Sequence, residues 1–475
     1  MKPFTSPLVA AVACGALLAP ALTYSDKPLS DKALPATSSI SWPAGTDLVP
    51  FENIEGIILL RGTLKGLVPP DTTGPLALDT GAGYLALDAA LARTLGLADS
   101  SSDQEAVDLA RRALPRLSVG HWSAEQVEPV LTVDGDVVRR VSDRPVLGLI
   151  GQRPLGDRAV WIDYREQMLA LVPAGTRAIE PGLAATDTMP ARADGAAGAP
   201  GRAPGANAGR AARDSALARS RALLAPALSA RATAVPFRLL GDGKVLVRGR
   251  VSDPTPPALS RDLNLLVDTG ATKCVLFEDS LVAEVRHADA WPALRGLSAP
   301  TLIGTVAARI ARVPAIEIEA AGGPLRVTGV DVGVLRSDLS QVLSHVTHET
   351  IHGLLGYSFL KRFRVAFDYP NRVMWLDSIP NYQDDRPNEY CHVGLQLERR
   401  DGAVVVAGVV DDSPAEKAGI EVGDQVVALD GTDVRSLDLL ELTRRMEGDP
   451  GQSLTLVMRR NQGERTLKLV RRRLL

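Results

Sequence analysis

Leu76-Ala77-Leu78-Asp79-Thr80-Gly81-Ala82 and Leu265-Leu266-Val267-Asp268-Thr269-Gly270-Ala271 are the two stretches whose reading decides the fold. Each is a short apolar run that delivers an aspartate to a turn. The run reads as a buried strand. Gly81 and Gly270 permit close backbone geometry in the turn, and the hydroxyls of Thr80 and Thr269 are able to bond across to a partner loop. One such loop is half a site. Two carboxyls about 3 Å apart cannot both ionise, so they share one proton.

The surroundings of the two loops also repeat. Val49-Pro50-Phe51 recurs as Val235-Pro236-Phe237, and Leu60-Arg61-Gly62 as Val247-Arg248-Gly249. Leu114-Pro115-Arg116-Leu117 recurs as Val313-Pro314-Ala315-Ile316, and Gly148-Leu149-Ile150-Gly151 as Gly353-Leu354-Leu355-Gly356. Trp161-Ile162-Asp163-Tyr164 recurs as Ala366-Phe367-Asp368-Tyr369. The order never changes, and the offset grows from 186 at Val49 to 205 at Trp161. Matches in register along this length mean a duplicated domain.

Each repeat reads mostly as strand, at 57–62, 244–251, 315–319 and 372–376, with short helices at 87–95 and 359–362. Residues 181–213 are rich in Ala, Gly, Pro and Arg and poor in large apolar side chains. Such a segment buries too little to offset its ordering entropy, so 179–232 is expected to be a disordered linker, with a weak helix at 215–230. A flexible chain of about 50 residues reaches roughly 40 Å, enough for the repeats to dock. A third unit follows. Ser413-Pro414-Ala415-Glu416 is a capping box, Gly419 closes that helix, and 437–446 is an amphipathic helix.

Composition bounds the rest. The chain has 475 residues, 45% of them apolar and 4% aromatic, which suits several small β-rich domains. A net charge of −3 gives no electrostatic reason to expect nucleic acid. Lys2 followed by an apolar stretch, with Ala19-Pro20-Ala21 beyond it, reads as a cleaved export signal over 1–25 and a periplasmic or secreted location. An uncleaved anchor, or a lipid-bearing Cys14, is the alternative. Cys274 and Cys391 fall in different units and read as buried thiols.

The two loops, each followed by a Gly-rich apolar strand, resemble the retroviral-type (retropepsin-like) aspartic protease family over about 49–172 and 235–377. The resemblance implies two acid-protease β-barrel lobes at 45–178 and 233–385, with Asp79 and Asp268 as the catalytic dyad and Thr80, Gly81, Thr269 and Gly270 supporting it. An aspartic-type endopeptidase is the expected class, with no cofactor and no metal. Val146-Leu147-Gly148 and Leu354-Leu355-Gly356 are similar to the family's hydrophobic-hydrophobic-Gly element, with the matching glycine of each Gly-x-x-Gly pair left open. From the aspartate to the matched proline is 36 residues in the first repeat and 46 in the second. The extra length includes Thr301-Leu302-Ile303-Gly304, which resembles a substrate-covering flap, so an asymmetric site with one main flap is expected. Both loops carry Ala where a Ser or Thr can stabilise the carboxylate, which predicts a raised dyad pKa.

The third unit, 389–475, is similar to a bacterial-type PDZ domain, on Gly394-Leu395, Ser413–Ile420, Gly423-Asp424 and Leu429-Asp430-Gly431. The resemblance implies an extended peptide end bound near His392, Val393, Gly394 and Leu395, beside the helix 437–446. His348-Glu349-Thr350-Ile351-His352 matches the H-E-x-x-H zinc pattern, but that pattern needs a sustained helix and Gly353 opens a strand. Two rivals stand beside the enzyme reading. One is a non-catalytic peptide-binding protein built from degenerate lobes. The other is a protease whose site assembles in a homodimer.

Overall fold

The computed structural model describes residues 40–66, 71–97, 107–109, 114–127, 130–133, 145–174, 206–241, 243–253, 259–277, 290–301, 304–336, 338–461 and 463–475. The export signal at 1–25 and the linker up to residue 205 lie outside them. The described chain is mainly strand.

Both repeats build the same local device. Leu76–Leu78 pairs in parallel with Gly148–Ile150, and Leu265–Val267 pairs in parallel with Gly353–Leu355. Alternation along the strand then divides the side chains. Leu76 and Leu78 point into a core cluster that runs through both lobes, while Ala77 faces a separate cluster with Leu59, Ala82, Ala86 and Leu149. In the second lobe Leu265 and Val267 join the shared core, and Leu266 faces Leu246, Ala271, Val275 and Leu354. Each fully buried leucine contributes about 1.5–3 kcal/mol.

The lobes are joined by one antiparallel sheet, in the order Ala232–Pro236, Val373–Ser378, Phe363–Asp368, Arg158–Asp163, Met168–Pro173, Asp47–Ile54. Its central pairing sets Trp161 opposite Ala366, two residues matched by the repeat, so the pseudo-twofold axis passes between these strands. Arg364 on one side reaches Asp163 on the other at 2.8 Å.

The linker expectation is corrected over its last part. Ala206–Leu224 is a helix, and it lies against the joining sheet rather than free of it. Leu224 is fully buried, Arg221 sits over the Trp375 ring, and the Trp375 indole N–H donates to Ser220 Oγ at 2.9 Å. The helix is alanine-rich, so its propensity is high, and its few large apolar residues suffice because they meet an existing sheet.

The third unit is a sheet ordered Leu395–Arg400, Ala403–Val409, Gln425–Leu429, Ser453–Arg460, Gly463–Val470, with the helix Leu439–Met446 over its own core of Val393, Val406, Leu442, Leu456 and Met458. Ser413 Oγ accepts from Glu416 N, and Glu416 returns a bond to Asp412 N, which fixes the start of the helix Pro414–Lys417.

Replacing Ser220 with alanine leaves the buried Trp375 N–H unpaired. A loss of about 1–3 kcal/mol in urea unfolding is expected; an unchanged midpoint would mean the helix does not pack on the sheet in solution.

Candidate functional site

Asp79 and Asp268 leave their strands at the same height because both are held from below in the same way. Asp79 N donates to Ile150 O and Asp268 N to Leu355 O, at 3.0 and 3.1 Å. The glycine left open by the sequence is now fixed. A methyl on Gly151 would lie 2.3 Å from Tyr84 O, and one on Gly356 would lie 2.2 Å from Lys273 O. Gly148 is as crowded, with a methyl there 2.1 Å from Ala86 O, so the register decides: Ile150 lies under Asp79 as Leu355 lies under Asp268, and the element beneath the first loop is Leu149-Ile150-Gly151, not Val146-Leu147-Gly148.

Four hydrogen bonds tie the loops together. Thr80 N donates to Thr269 Oγ1 and Thr269 N donates to Thr80 Oγ1, both at 3.1 Å. Thr80 Oγ1 donates to Val267 O and Thr269 Oγ1 to Leu78 O, both at 2.9 Å. All are buried, so each hydroxyl acts as acceptor and donor at once, away from water. The carboxyls meet above them. A methyl on Gly81 would stand 2.8 Å from Asp268 Cγ, and one on Gly270 would stand 3.1 Å from Asp79 Cγ. One chain brings both aspartates together.

The two carboxyls are not equivalent. Burial raises the Asp79 carboxyl above its ordinary value, against the hydrogen bond from Asp268, the Gly81 N–H and the charge of Lys244. Gly81 N and Ala82 N donate to Asp79 Oδ1 at 2.8 and 3.1 Å. Asp268 is held well above the usual range by burial first, then by the negative charge of Asp79. Gly270 N likewise donates to Asp268 Oδ1 at 2.8 Å, and the raised pair shares one proton between its carboxyls. Lys244 was missed by sequence reasoning. It is fully buried, and it occupies the position that Ile57 holds in the first repeat. A charged residue at the strand position of an apolar repeat partner was the available signal.

The flap residues form the end of a hairpin, Ala293–Thr301 with Gly304–Ile318, in which Thr301 pairs with Gly304; Leu302 and Ile303 lie outside the described residues. Ala299, Val306 and Ala308 of this hairpin pack on the cluster that holds Ala271 and Leu266. Among the described residues the first lobe has no counterpart to it. The zinc-like motif is split. The helix Leu339–Thr347 ends at His348, which is left-handed at φ 54°, and His352 Nδ1 accepts from Asn264 N at 2.9 Å.

In the third unit His392 Nδ1 accepts from Gly394 N at 2.9 Å, and Gly394 O accepts from Val410 N. Burial and the Arg386 charge push His392 down to about 4, so its ring is neutral. Val393 is fully buried, and Leu395 begins the strand Leu395–Arg400, which is the edge of its sheet. That edge runs beside the helix Leu439–Met446.

The unit is docked on both lobes. Arg386 pairs with Glu55 of the first lobe and with Glu447 at the end of the helix Leu439–Met446. Lys273, five residues beyond Asp268, pairs with Glu389. Burial would raise the Glu389 carboxyl, but the charges of Lys273 and Arg386 hold it below the ordinary range. Gln396 clasps the flap hairpin: Ser298 N donates to its Oε1 at 3.0 Å, and its Nε2 donates to Ser298 O at 2.7 Å.

Comparison with known proteins follows this division. Residues 247–359 match the family model for an aspartyl protease. Residues 405–460 match the model for a PDZ domain. The fold is thus two acid-protease β-lobes and a PDZ domain. A probable CtpA-like serine protease of Staphylococcus haemolyticus is 27% identical over 101 residues, 21% of this chain and 20% of that protein. A carboxyl-terminal-processing protease of a Picosynechococcus species is 37% identical over 87 residues, 18% of this chain and 21% of that protein. The chain spans about a fifth of the length of these curated relatives. Among solved structures, the aspartic proteinase from Irpex lacteus is similar at 11% identity and a TM-score of 0.37, over 71% of this chain and 98% of that one.

One expectation is corrected here. The enzyme class drawn from the two loops was an aspartic-type endopeptidase, whereas the curated relatives are named carboxyl-terminal-processing proteases, one of them a serine protease. Protease-like with a PDZ domain is the statement that stands.

Two outcomes test the geometry. Thr269→Val removes an acceptor from Thr80 N and a donor from Leu78 O, so stability should fall by on the order of 2–5 kcal/mol in urea unfolding. Lys244→Ile removes a positive charge from Asp79, so the Asp79 carboxyl should titrate at higher pH, read by carboxyl carbon NMR. An unmoved titration would remove Lys244 from the site.

Proposed function

We propose that peptide bonds are hydrolysed at the Asp79–Asp268 pair by a water activated there. The observation that carries this reading is the pair itself: two buried carboxyls in contact, both raised by burial. Asp79, the ionised member, takes a proton from the water. Asp268, the protonated member, donates to the carbonyl oxygen of the scissile bond as the water attacks; the tetrahedral intermediate then collapses, Asp268 taking back the hydroxyl proton as the C–N bond breaks and Asp79 giving the proton it took from water to the leaving amine. Thr80 and Thr269 keep the loops in register, and Gly81 and Gly270 allow the close approach. The hairpin carrying Thr301 and Gly304 serves as the cover that excludes bulk water.

The PDZ domain is proposed to take an extended polypeptide end by strand addition. The free edge of Leu395–Arg400 beside the helix Leu439–Met446 supports this. The same reading divides the chain into an export signal at 1–25, lobes at 45–178 and 233–385 and a PDZ domain at 389–475. Export is part of the proposal; among the described residues no helix is long and apolar enough to cross a membrane.

The test is cleavage of an unfolded protein substrate by the full chain and by Asp79→Asn and Asp268→Asn. Each substitution should lower the rate by about 10²-fold or more, with unfolding midpoints preserved. Loss in one variant alone would break the shared-pair mechanism, and cleavage unchanged in both would move the chemistry elsewhere. The pH profile of kcat/KM supplies a second check. Activity needs Asp79 ionised and Asp268 protonated. Because the Asp268 carboxyl is raised well above the ordinary value, the alkaline limb should lie well above the ordinary carboxylate range.

A further inference from the structure

The flap hairpin meets the PDZ domain at an irregularity on each side. In the hairpin, Leu294 pairs with Ile310 and Leu297 with Ala308, so Arg295 and Gly296 bulge from their strand. In the PDZ domain, Gln396 pairs with Gly408 and Leu397 with Val406, so Ala407 bulges from its own. A bulge frees backbone groups from the ladder and re-aims the strand. Each carbonyl so freed is taken by the other domain. Asp411 N donates to Arg295 O at 3.1 Å, and Ser298 Oγ donates to Ala407 O at 3.3 Å. Two glycines allow the approach. A methyl on Gly296, where φ is 79°, would lie 2.1 Å from Val409 O, and one on Gly408 would lie 3.1 Å from Gly296 O. Leu294 of the hairpin and Tyr390 and Val410 of the PDZ domain share one small apolar core.

Gln396 completes this contact. The strand Ala293–Thr301 is the edge of its sheet, so its outward N–H and C=O groups have no neighbouring strand of their own lobe. The Gln396 carboxamide accepts from Ser298 N at 3.0 Å and donates to Ser298 O at 2.7 Å. A carboxamide carries a donor and an acceptor side by side, so it stands in for the peptide group that a further strand would supply. The next residue, Ala299, packs on the cluster that holds Ala271, three residues beyond Asp268. Alternation turns the Ser298 and Ala299 side chains to opposite faces. At this point the flap strand is therefore held between the PDZ domain and the apolar cluster that includes the end of the Asp268 loop.

We propose that Gln396 is a positioning residue for hydrolysis at the aspartate pair: through it the PDZ domain holds the flap hairpin in the place from which the hairpin grips substrate. This rests on the hydrolytic reading of the pair and deepens it. Gln396 touches neither substrate nor the aspartates. It acts through the backbone of Ser298, so loosening it weakens the hold on bound polypeptide and leaves the carboxyls and their water as they are. The PDZ domain is then a working part of the cleft as well as a binding module.

The experiment measures kcat and KM on an unfolded protein substrate for the full chain, Gln396→Met and Gln396→Glu, with urea unfolding of each. Methionine keeps the volume and loses both hydrogen bonds. Glutamate, ionised at neutral pH, keeps the acceptor and sets a carboxylate oxygen against Ser298 O. KM should rise about tenfold in each variant, with kcat within about twofold of wild type. Amide hydrogen exchange over 297–301 should quicken in both, because the Ser298 N–H loses its cover. A merely structural role would lower the folded fraction, which reduces apparent kcat and leaves KM unmoved; that pattern overturns the proposal. Unchanged KM in both variants overturns it as well, and with a cleaving wild type it leaves the hydrolytic reading intact. Wild-type protein that cleaves nothing removes the hydrolytic reading, and the proposal with it.

Discussion

The crossed bonding of Thr80 and Thr269 is the constraint on which the rest of the site depends. Each hydroxyl takes the other loop's N–H and gives its proton to the strand leading into that loop. Six buried polar groups, two N–H, two hydroxyls and two carbonyls, are satisfied by these bonds only when both loops are present and in register. Leaving a buried donor or acceptor unmade costs about 1–3 kcal/mol, so misdocked lobes are penalised sharply and the aspartates meet without a ligand to hold them. The joining sheet, with Trp161 opposite Ala366, sets the same twofold relation from the opposite side of the shared core.

Within that symmetry the site is unequal, and the inequality comes from what lies outside the loops. Lys244 replaces Ile57, so a positive charge acts on Asp79 while Asp268 faces a negative one. This difference in charge lies outside the loop sequences, which are alike from Asp to Ala. The clusters that hold Ala77 and Leu266 differ as well: the flap hairpin packs on the second, while the first is packed by Ile57, Leu131 and Val146 of its own lobe and touched by Leu440 of the PDZ domain.

The PDZ domain is fastened by charges that have been taken out of water. Arg386, Glu389, Lys273, Glu55 and Glu447 form one junction where both lobes and the third unit meet. Such a cluster gains little net stability over an apolar contact, yet breaking it by removing one member strands the others. Glu389 is held below its ordinary pKa, so its contribution is complete above the ordinary range and is lost as pH falls through the lowered value. Specific geometry is the return, and it sets the helix Leu439–Met446 against the first lobe, with Arg444 near Glu55 and Leu440 on the cluster that holds Ala77.

The sequence by itself determined the duplication, the two loops, the mainly β lobes and the PDZ unit. Those features are local: periodicity, turn residues and capping boxes are written in neighbouring positions. Asp79 and Asp268 were legible for the same reason. Three matters were decided only in three dimensions. The glycine under the first loop is Gly151 because the register of Gly148–Ile150 against Leu76–Leu78 puts it there. The alanine-rich stretch before the second lobe is helical because the face around Trp375 receives it. Lys244 came beside Asp79 through a contact between segments far apart in the chain, where hydrophobic pattern carries no information about partners. The two Asp-Thr-Gly loops could be found in one dimension; the charges that act on each aspartate are set by the residues the fold brings beside them.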